Sequence, residues 1–212
     1  LRSGQGMVGQ PLLVRASPVT FAHSIDGTTM VSAANAPTSA AVVVNFVVFQ
    51  AGWFACVLGA AHGLAWAGTL AAFAIVAAHV YFARRPRAEL KLVAIALLIG
   101  AVWESALVAI GWLDYPAGFF LPSIAPHWIL ALWGLFAITV NYSLGWLKPR
   151  LAMAAVLGAV AGPLAFRGGA ALGAVQVVEP LRAFTALASG WALFTPLLLW
   201  CARRDDDGGA HA

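Results

Sequence analysis

The sequence predicts an all-α protein, a polytopic bundle of about six transmembrane helices with both termini in the cytoplasm. Hydrophobic residues make up 62% of the 212 residues and charged residues only 9%, whereas an ordinary soluble domain has roughly 25% charged residues. Long uncharged runs recur, and ~20 consecutive apolar residues are what the ~30 Å hydrocarbon core of a bilayer requires of a helix. The runs lack the alternation of barrel strands, so helices, which satisfy their own backbone hydrogen bonds, are the expected spanning elements.

The first 39 residues are rich in Gly, Ser, Thr, Ala and Pro and are predicted to form a disordered leader. Their apolar cluster PLLV at 11–14 is too short for the core of a signal peptide. The segment MVSAANAPTSA resembles a natural start at Met30, which would place residues 1–29 upstream of it. The predicted domains are therefore the leader 1–39, one transmembrane domain 40–203 and a cytoplasmic tail 204–212.

Six apolar segments follow the leader and are predicted to span the membrane. They cover residues 40–60, 64–82, 92–112, 127–144, 151–166 and 181–201. The connections after the second, fourth and sixth segments carry most of the Lys and Arg residues, and the alternate connections carry few. Because Lys and Arg accumulate in cytoplasmic loops, both termini are predicted to face the cytoplasm.

The fifth predicted span is irregular. Residues 151–166 would form a helix of only ~24 Å at 1.5 Å per residue, and Pro163 lacks the amide hydrogen that a helix interior needs. An outer loop or short interfacial helix is the favoured continuation, and a broken helix that keeps Arg167 at membrane depth is the alternative. Small residues repeat every four positions and predict close packing of a neighbouring helix. They are Ala154, Gly158 and Gly162, and again Gly169 and Gly173.

The most informative charge is Glu104, inside the third predicted span. Counted from Leu92, it lies ~18 Å into the membrane, just beyond the midplane. A carboxylate at that depth is expensive and should face the bundle interior or a water-filled cavity. A functional role and a structural role in fixing helix register remain equally open. Gln50 and, if the fifth helix continues, Arg167 lie at depths from which they could reach it.

Amide side chains in the first and fourth spans are the remaining candidates. Asn45 and Asn141 both lie near the cytoplasmic side and could meet, and hydrogen bonding between helices is their favoured role. The candidate intramembrane polar site comprises Glu104, Gln50, Arg167, Asn141 and Asn45.

Other kinds of chemistry have little support in the sequence. Cys56 and Cys201 have no metal-ligand spacing, and His62, His79 and His127 fall at different depths, which argues against a three-histidine metal site. The chain has no G-x-S-x-G elbow and no Walker-type loop, and its G-x-G-x-x-G run at 4–9 lies in the predicted leader and is not a dinucleotide-fold fingerprint. Membrane topology explains the net charge of +4 better than a nucleic-acid partner does. No cofactor and no metal are predicted, and the lipid bilayer is the expected partner.

Several motifs occur in the order in which a known family has them. NFVVFQAGWFACVLGAAHGL begins at Asn45, and ARRPRAELKL, WILALWGLFAITVNYSLGWL, GAVAGPLAF and LGAVQVVEP follow it. Over about residues 43–203 the chain resembles the bacterial inner-membrane family catalogued as domain of unknown function 2878. The resemblance implies a multi-pass protein of the bacterial inner membrane with an acidic residue in the third span, and it favours a role in membrane-lipid physiology. It brings no catalytic residues with it.

The predicted function is that of a non-enzymatic or accessory membrane protein that binds or moves a small apolar or lipid-like molecule around Glu104. An intramembrane enzyme that acts on a lipid, with Glu104 as general acid or base, and a proton-coupled transporter remain alternatives. An enzyme needs two or three polar groups that converge on a cavity, whereas a binding protein needs an apolar groove. A structural glutamate needs one close partner and no cavity. A transporter needs water access to Glu104 from alternating sides.

Overall fold

The computed structural model describes residues 37–208, which form a helical bundle. The helices are α1 (Ser39–Ala61), α2 (Ala65–Phe82), α3 (Pro86–Ala109), α4 (His127–Ala137), α5 (Leu151–Ala171) and α6 (Pro180–Gly208). Five of these are long and apolar enough to cross a membrane, and α4 is shorter. The predicted all-α fold is confirmed, and the chain is a multi-pass membrane protein. Residues 1–36 of the predicted leader lie outside the described residues.

Helix α3 begins earlier than the sequence predicted, at Pro86 rather than at 92. Proline is favoured at the first helical position because the amide hydrogen that it lacks would have no partner there. The basic segment ARRPRAELK is therefore mostly helical, and the loop between α2 and α3 is short. This start places Glu89 and Lys91 on the helix, where the sequence analysis had placed a cytoplasmic loop.

Helix α4 is the buried centre of the bundle and contacts α1, α2 and α3. It ends at Ala137 rather than at 144, and the chain continues through turns to a 3-10 helix at Gly145–Leu147. The Asn45 amide donates to the Ile138 carbonyl at 2.9 Å. The Asn45 side chain thus occupies a carbonyl that an amide of the next helical turn would otherwise bind, and the regular helix ends here.

The segment that starts with α4 nevertheless crosses the whole bundle. At its beginning His127 contacts Thr69, close to the start of α2, with Nδ1 and Oγ1 2.7 Å apart. At its end Lys148 binds Asp206, close to the end of α6, at 2.6 Å. The turns after Ala137 complete the predicted fourth span.

Helices α5 and α6 form a hairpin that packs chiefly against itself, and α6 also contacts α3 and, through Trp191, α4. Helix α5 runs through Pro163 to Ala171, so the favoured interpretation of an outer loop after 166 was wrong. The predicted packing face is confirmed, because Ala154, Gly158, Gly162 and Gly169 are buried. Gly173 follows the helix instead, with a φ of 84° that suits a glycine.

Two short strands join the connections at one end of the bundle. Strand β1 (Leu113–Asp114) pairs antiparallel with β2 (Gln176–Val177), and the Val178 amide donates to the Trp112 carbonyl at 3.0 Å. We call this the loop end, residues 110–126 and 172–179. The pairing holds the α3–α4 connection against the α5–α6 connection.

The opposite end of the bundle carries a set of exposed ion pairs and is called the charged end. Lys91 binds Asp205 at 2.7 Å, and Asp206 binds Lys148 at 2.6 Å and Arg85 at 3.7 Å. Each exposed pair contributes only ~1 kcal/mol or less to stability. Together the pairs hold the end of α6 close to the start of α3 and to the connection between α4 and α5. Residues 204–208, predicted to be a tail, continue helix α6.

Candidate functional site

Glu104 lies on α3 in the centre of the bundle and is 0% exposed. Trp133 Nε1 donates to its Oε1 at 3.1 Å, and the Tyr115 hydroxyl donates to its Oε2 at 3.3 Å. Both carboxyl oxygens therefore accept a hydrogen bond from a neutral donor. Within residues 37–208 no Lys or Arg forms an ion pair with Glu104. Its predicted location inside the bundle is confirmed.

Tyr115 reaches Glu104 from the loop end. It follows strand β1 directly, and its ring is 3% exposed and packs edge-on against Trp128 with centroids 5.6 Å apart. Burial, together with the nearby charge of Glu104, raises the pKa of the Tyr115 phenol well above its usual value. The hydroxyl therefore keeps its proton and acts as a donor.

Trp133 supplies the second donor from α4. Its ring stacks on that of Trp191 in α6, with centroids 4.8 Å apart and planes 16° apart. The ring also lies directly against Gly100 of α3, where a Cβ would overlap it. The site is thus assembled from α3, α4 and the loop between them, and α6 adjoins it.

A cavity of about 570 Å³ reaches Glu104. It runs between α1 and the α4 segment on one side and the α5–α6 hairpin on the other. The volume falls within the ~300–1,000 Å³ that is typical of small-molecule sites. Aromatic side chains form much of its wall, namely Phe46, Phe49, Trp53, Trp128, Trp133, Phe136, Phe166 and Trp191.

The cavity opens sideways, between α1 and α5. Phe46 of α1 and Leu157 of α5 both line it, and they are 53% and 41% exposed. Since both helices are long and apolar enough to span the membrane, a surface between them that protein does not cover faces lipid. Protein therefore does not fully enclose the cavity between α1 and α5.

A few polar side chains line the cavity beside Glu104. Gln50 is one of them. It lines the same cavity as Glu104, as its predicted depth indicated, but no hydrogen bond joins the two side chains. The Thr139 hydroxyl donates to a backbone carbonyl at 2.6 Å. Thr195 Oγ1 and Trp191 Nε1 are buried and have no hydrogen-bond partner within the described part of the chain.

The other predicted site residues lie outside this cavity. Arg167 is exposed on α5 and does not line the cavity. Asn141 donates to Glu89 at 2.9 Å, and Asn45 binds the turns after α4. The predicted contact between Asn45 and Asn141 is not formed. Gln50 and Arg167 were placed at depths from which they could reach Glu104, but the observed hydrogen-bond donors to Glu104 are Tyr115 and Trp133.

A second buried carboxylate, Glu89, was missed by the sequence analysis. It is 5% exposed, accepts from Asn141 and lies 3.2 Å from His79 Nε2. The Tyr142 ring packs edge-on against His79 with centroids 4.9 Å apart. The available signal was Pro86, since a proline that starts a helix would have placed Glu89 on the helix rather than in a basic loop. None of these residues lines the cavity.

Comparison with known proteins adds a family match. The model of a family described as "Protein of unknown function (DUF2878)" matches residues 42–197. This range contains Glu104, both of its hydrogen-bond donors and every residue that lines the cavity. No curated protein and no solved structure matches the chain.

Proposed function

The chain belongs to the DUF2878 family, as its motifs indicated, and we propose from that premise that it binds a small apolar or lipid-like molecule in the bacterial inner membrane. The observation that supports this most is the cavity of about 570 Å³ that opens between α1 and α5 and reaches buried Glu104. The protein acts as a non-enzymatic or accessory component, which holds or hands on its ligand without changing it.

The ligand enters from the bilayer. A molecule that moves from lipid into this cavity exchanges one apolar environment for another, so the hydrophobic effect gives little net gain. Affinity then depends on how well the ligand fills the aromatic walls and on the few polar contacts within. A cavity with a lateral mouth suits a molecule that is already dissolved in the membrane, and it favours exchange with the bilayer over alternating access from two aqueous sides.

The polar groups around Glu104 favour binding over catalysis. An enzyme needs two or three polar groups that converge on the substrate. Each oxygen of Glu104 already accepts a hydrogen bond from a neutral donor. Arg167 and Asn141, which an enzyme could have used to orient Glu104, face other surroundings, because Arg167 is exposed and Asn141 binds Glu89.

Quenching of tryptophan fluorescence tests the proposal directly. Trp53, Trp128, Trp133 and Trp191 line the cavity, and bromine atoms quench indole fluorescence on contact. The purified protein in nanodiscs should show saturable quenching by dibrominated octadecane, in addition to the linear quenching that bulk lipid produces. If quenching rises only linearly with the reporter, the proposal is wrong.

A matched pair of variants on α5 locates the bound reporter. Ala161 and Ala152 are both exposed, but Ala161 lines the cavity and Ala152 does not. Ala161→Phe should weaken the saturable quenching several-fold because the ring narrows the cavity, whereas Ala152→Phe should leave it unchanged. An equal effect of the two substitutions would place the reporter on the lipid-facing surface instead.

A further inference from the structure

Two polar groups of α6 lie in the cavity wall with their hydrogen-bonding capacity unused. Trp191 Nε1 and Thr195 Oγ1 are buried, have no partner within residues 37–208, and belong to residues that line the cavity. Thr195 is 4% exposed. The two residues are four positions apart, so they lie on the same face of the helix. A buried polar group without a partner is costly and needs an explanation.

The other hydroxyl groups of α6 show that Thr195 is an exception. Thr185 donates to the Leu181 carbonyl at 2.7 Å, and Ser189 donates to the Thr185 carbonyl at 2.8 Å. Each of these bonds joins a hydroxyl to the carbonyl four residues earlier, as is usual in apolar helices. Thr195 has no such bond to Trp191, so its hydroxyl remains available.

Two glycines of α5 let its backbone pack directly on these two residues. A Cβ at Gly158 would meet the Trp191 carbonyl and Thr195 Oγ1, and a Cβ at Gly162 would meet the Trp191 ring. Both glycines also line the cavity. Larger side chains at these positions would overlap Trp191 or Thr195 and push the helices apart. The close approach of α5 to Trp191 and Thr195 therefore depends on these two glycines.

We propose that Trp191 and Thr195 form a subsite that binds an oxygen atom of the ligand; this inference rests on the proposed function of the cavity. An indole N–H can only donate, so the ligand must carry an acceptor. A threonine hydroxyl both donates and accepts, so the subsite suits a ligand hydroxyl as well as a carbonyl oxygen. The ligand is thus a long apolar molecule that carries an alcohol, ester or ketone group.

The ligand is uncharged. Among the described residues that line the cavity, Glu104 is the only one that carries a formal charge, and no Lys or Arg is among them to balance an anion. A buried carboxylate without a cation is strongly disfavoured. Ionised fatty acids are therefore excluded in favour of neutral lipids.

Competition against the dibrominated octadecane reporter tests the subsite. Hexadecanol should displace the reporter about tenfold more effectively than hexadecane, because one or two neutral hydrogen bonds have roughly that effect. Palmitate, measured well above its pKa, should compete more weakly than hexadecanol. Thr195→Val and Trp191→Phe should each lower the displacement of the reporter by hexadecanol to that by hexadecane, and should leave displacement by hexadecane unchanged.

A control variant and the pattern of outcomes separate this inference from the proposed function. Thr185→Val removes an exposed hydroxyl of the same helix that does not line the cavity. It should therefore leave displacement of the reporter by hexadecanol and by hexadecane unchanged. If the reporter does not bind saturably, the cavity proposal itself fails. If the reporter binds but both competitors displace it equally, or Thr195→Val weakens both equally, the subsite is refuted and the cavity proposal stands. Tighter competition by palmitate than by hexadecanol would overturn the inference that the ligand is neutral.

Discussion

At Glu104 the cost of burying a carboxyl group is offset by two neutral donors rather than by a cation. Trp133 and Tyr115 each give one hydrogen bond to it, and in apolar surroundings such bonds are stronger than in water. The same surroundings make an unpaired donor costly. The three side chains therefore stabilise the fold as a unit, and loss of the Glu104 carboxyl group would leave both donors unpaired.

Replacement of Glu104 should show this dependence. Glu104→Ala is expected to lower the free energy of unfolding by about 2–6 kcal/mol, because each of the two donors left unpaired costs ~1–3 kcal/mol. Glu104→Gln should cost less, since its amide oxygen still accepts one bond. Denaturation in detergent micelles measures both. Glu179→Ala, at an exposed position of the loop end, is the control and should have little effect. Equal losses for Glu104→Ala and Glu104→Gln would contradict this account.

The burial of Glu104 could be predicted from the sequence, whereas its partners could not. Burial follows from depth in the membrane, which counting residues along a helix supplies. Tyr115 reaches the carboxyl group only because β1 pairs with β2, and two-residue strands leave no periodic pattern. Trp133 did leave a signal, because it lies ~9 Å from the start of its helix, at a depth similar to that of Glu104.

At the scale of helices, the boundaries that depend on local residues were predictable and those that depend on distant residues were not. The bounds of α1 and α2 follow the apolar runs closely. Helix α4 ends where it does because Asn45, 93 residues before the carbonyl that it binds, takes an acceptor of the next turn. Helix α5 continues past Pro163 because its small-residue face packs on α6, and such packing overrides a local helix breaker.

The close contact between α5 and α6 gives a prediction for the hairpin. Gly158→Ala should lower the free energy of unfolding by about 1–3 kcal/mol, because overpacking has costs of that size. The added methyl group would meet the Trp191 carbonyl and Thr195 Oγ1, and backbone atoms cannot move aside easily. Denaturation in detergent micelles measures the effect.

Gly168→Ala on the same helix is the matched control. Its Cβ would meet the Trp53 ring at 3.5 Å, an ordinary contact, and alanine favours helix over glycine by ~1 kcal/mol. Gly168→Ala should therefore be neutral or stabilising. If Gly158→Ala is tolerated equally well, α5 and α6 are not in close contact at this position.

At the scale of the whole molecule, positive charge is concentrated at the charged end. Most Lys and Arg residues of the described chain lie there, namely Arg84, Arg85, Arg87, Lys91, Lys148, Arg150, Arg203 and Arg204, whereas Arg167 and Arg182 lie toward the loop end. The sequence could predict this asymmetry because it depends only on which connections carry the charges. Most of the segment ARRPRAELK lies in helix α3 rather than in a loop. This difference from the predicted structure affects the shape of the charged end but not its charge.

The charge asymmetry predicts the orientation of the protein, which cysteine labelling tests. Arg87 and Ser123 are exposed at the charged end and the loop end. In a protein with Cys56 and Cys201 replaced by serine, an impermeant maleimide should label the Ser123→Cys variant in intact cells. It should label the Arg87→Cys variant only after the membrane is opened, since Lys and Arg accumulate on the cytoplasmic side. Both variants should react in detergent, which controls for accessibility.

This orientation also determines which leaflet supplies the ligand. Phe46 and Leu157, at the mouth of the cavity, lie ~10 Å along their helices from the charged end, and the hydrocarbon core is ~30 Å thick. If the charged end is cytoplasmic, the mouth therefore opens into the cytoplasmic leaflet. A brominated reporter restricted to that leaflet of right-side-out vesicles should then quench the cavity tryptophans, and one restricted to the outer leaflet should not. Labelling of Arg87→Cys in intact cells would reverse the orientation, and the reporter in the outer leaflet should then be the effective one.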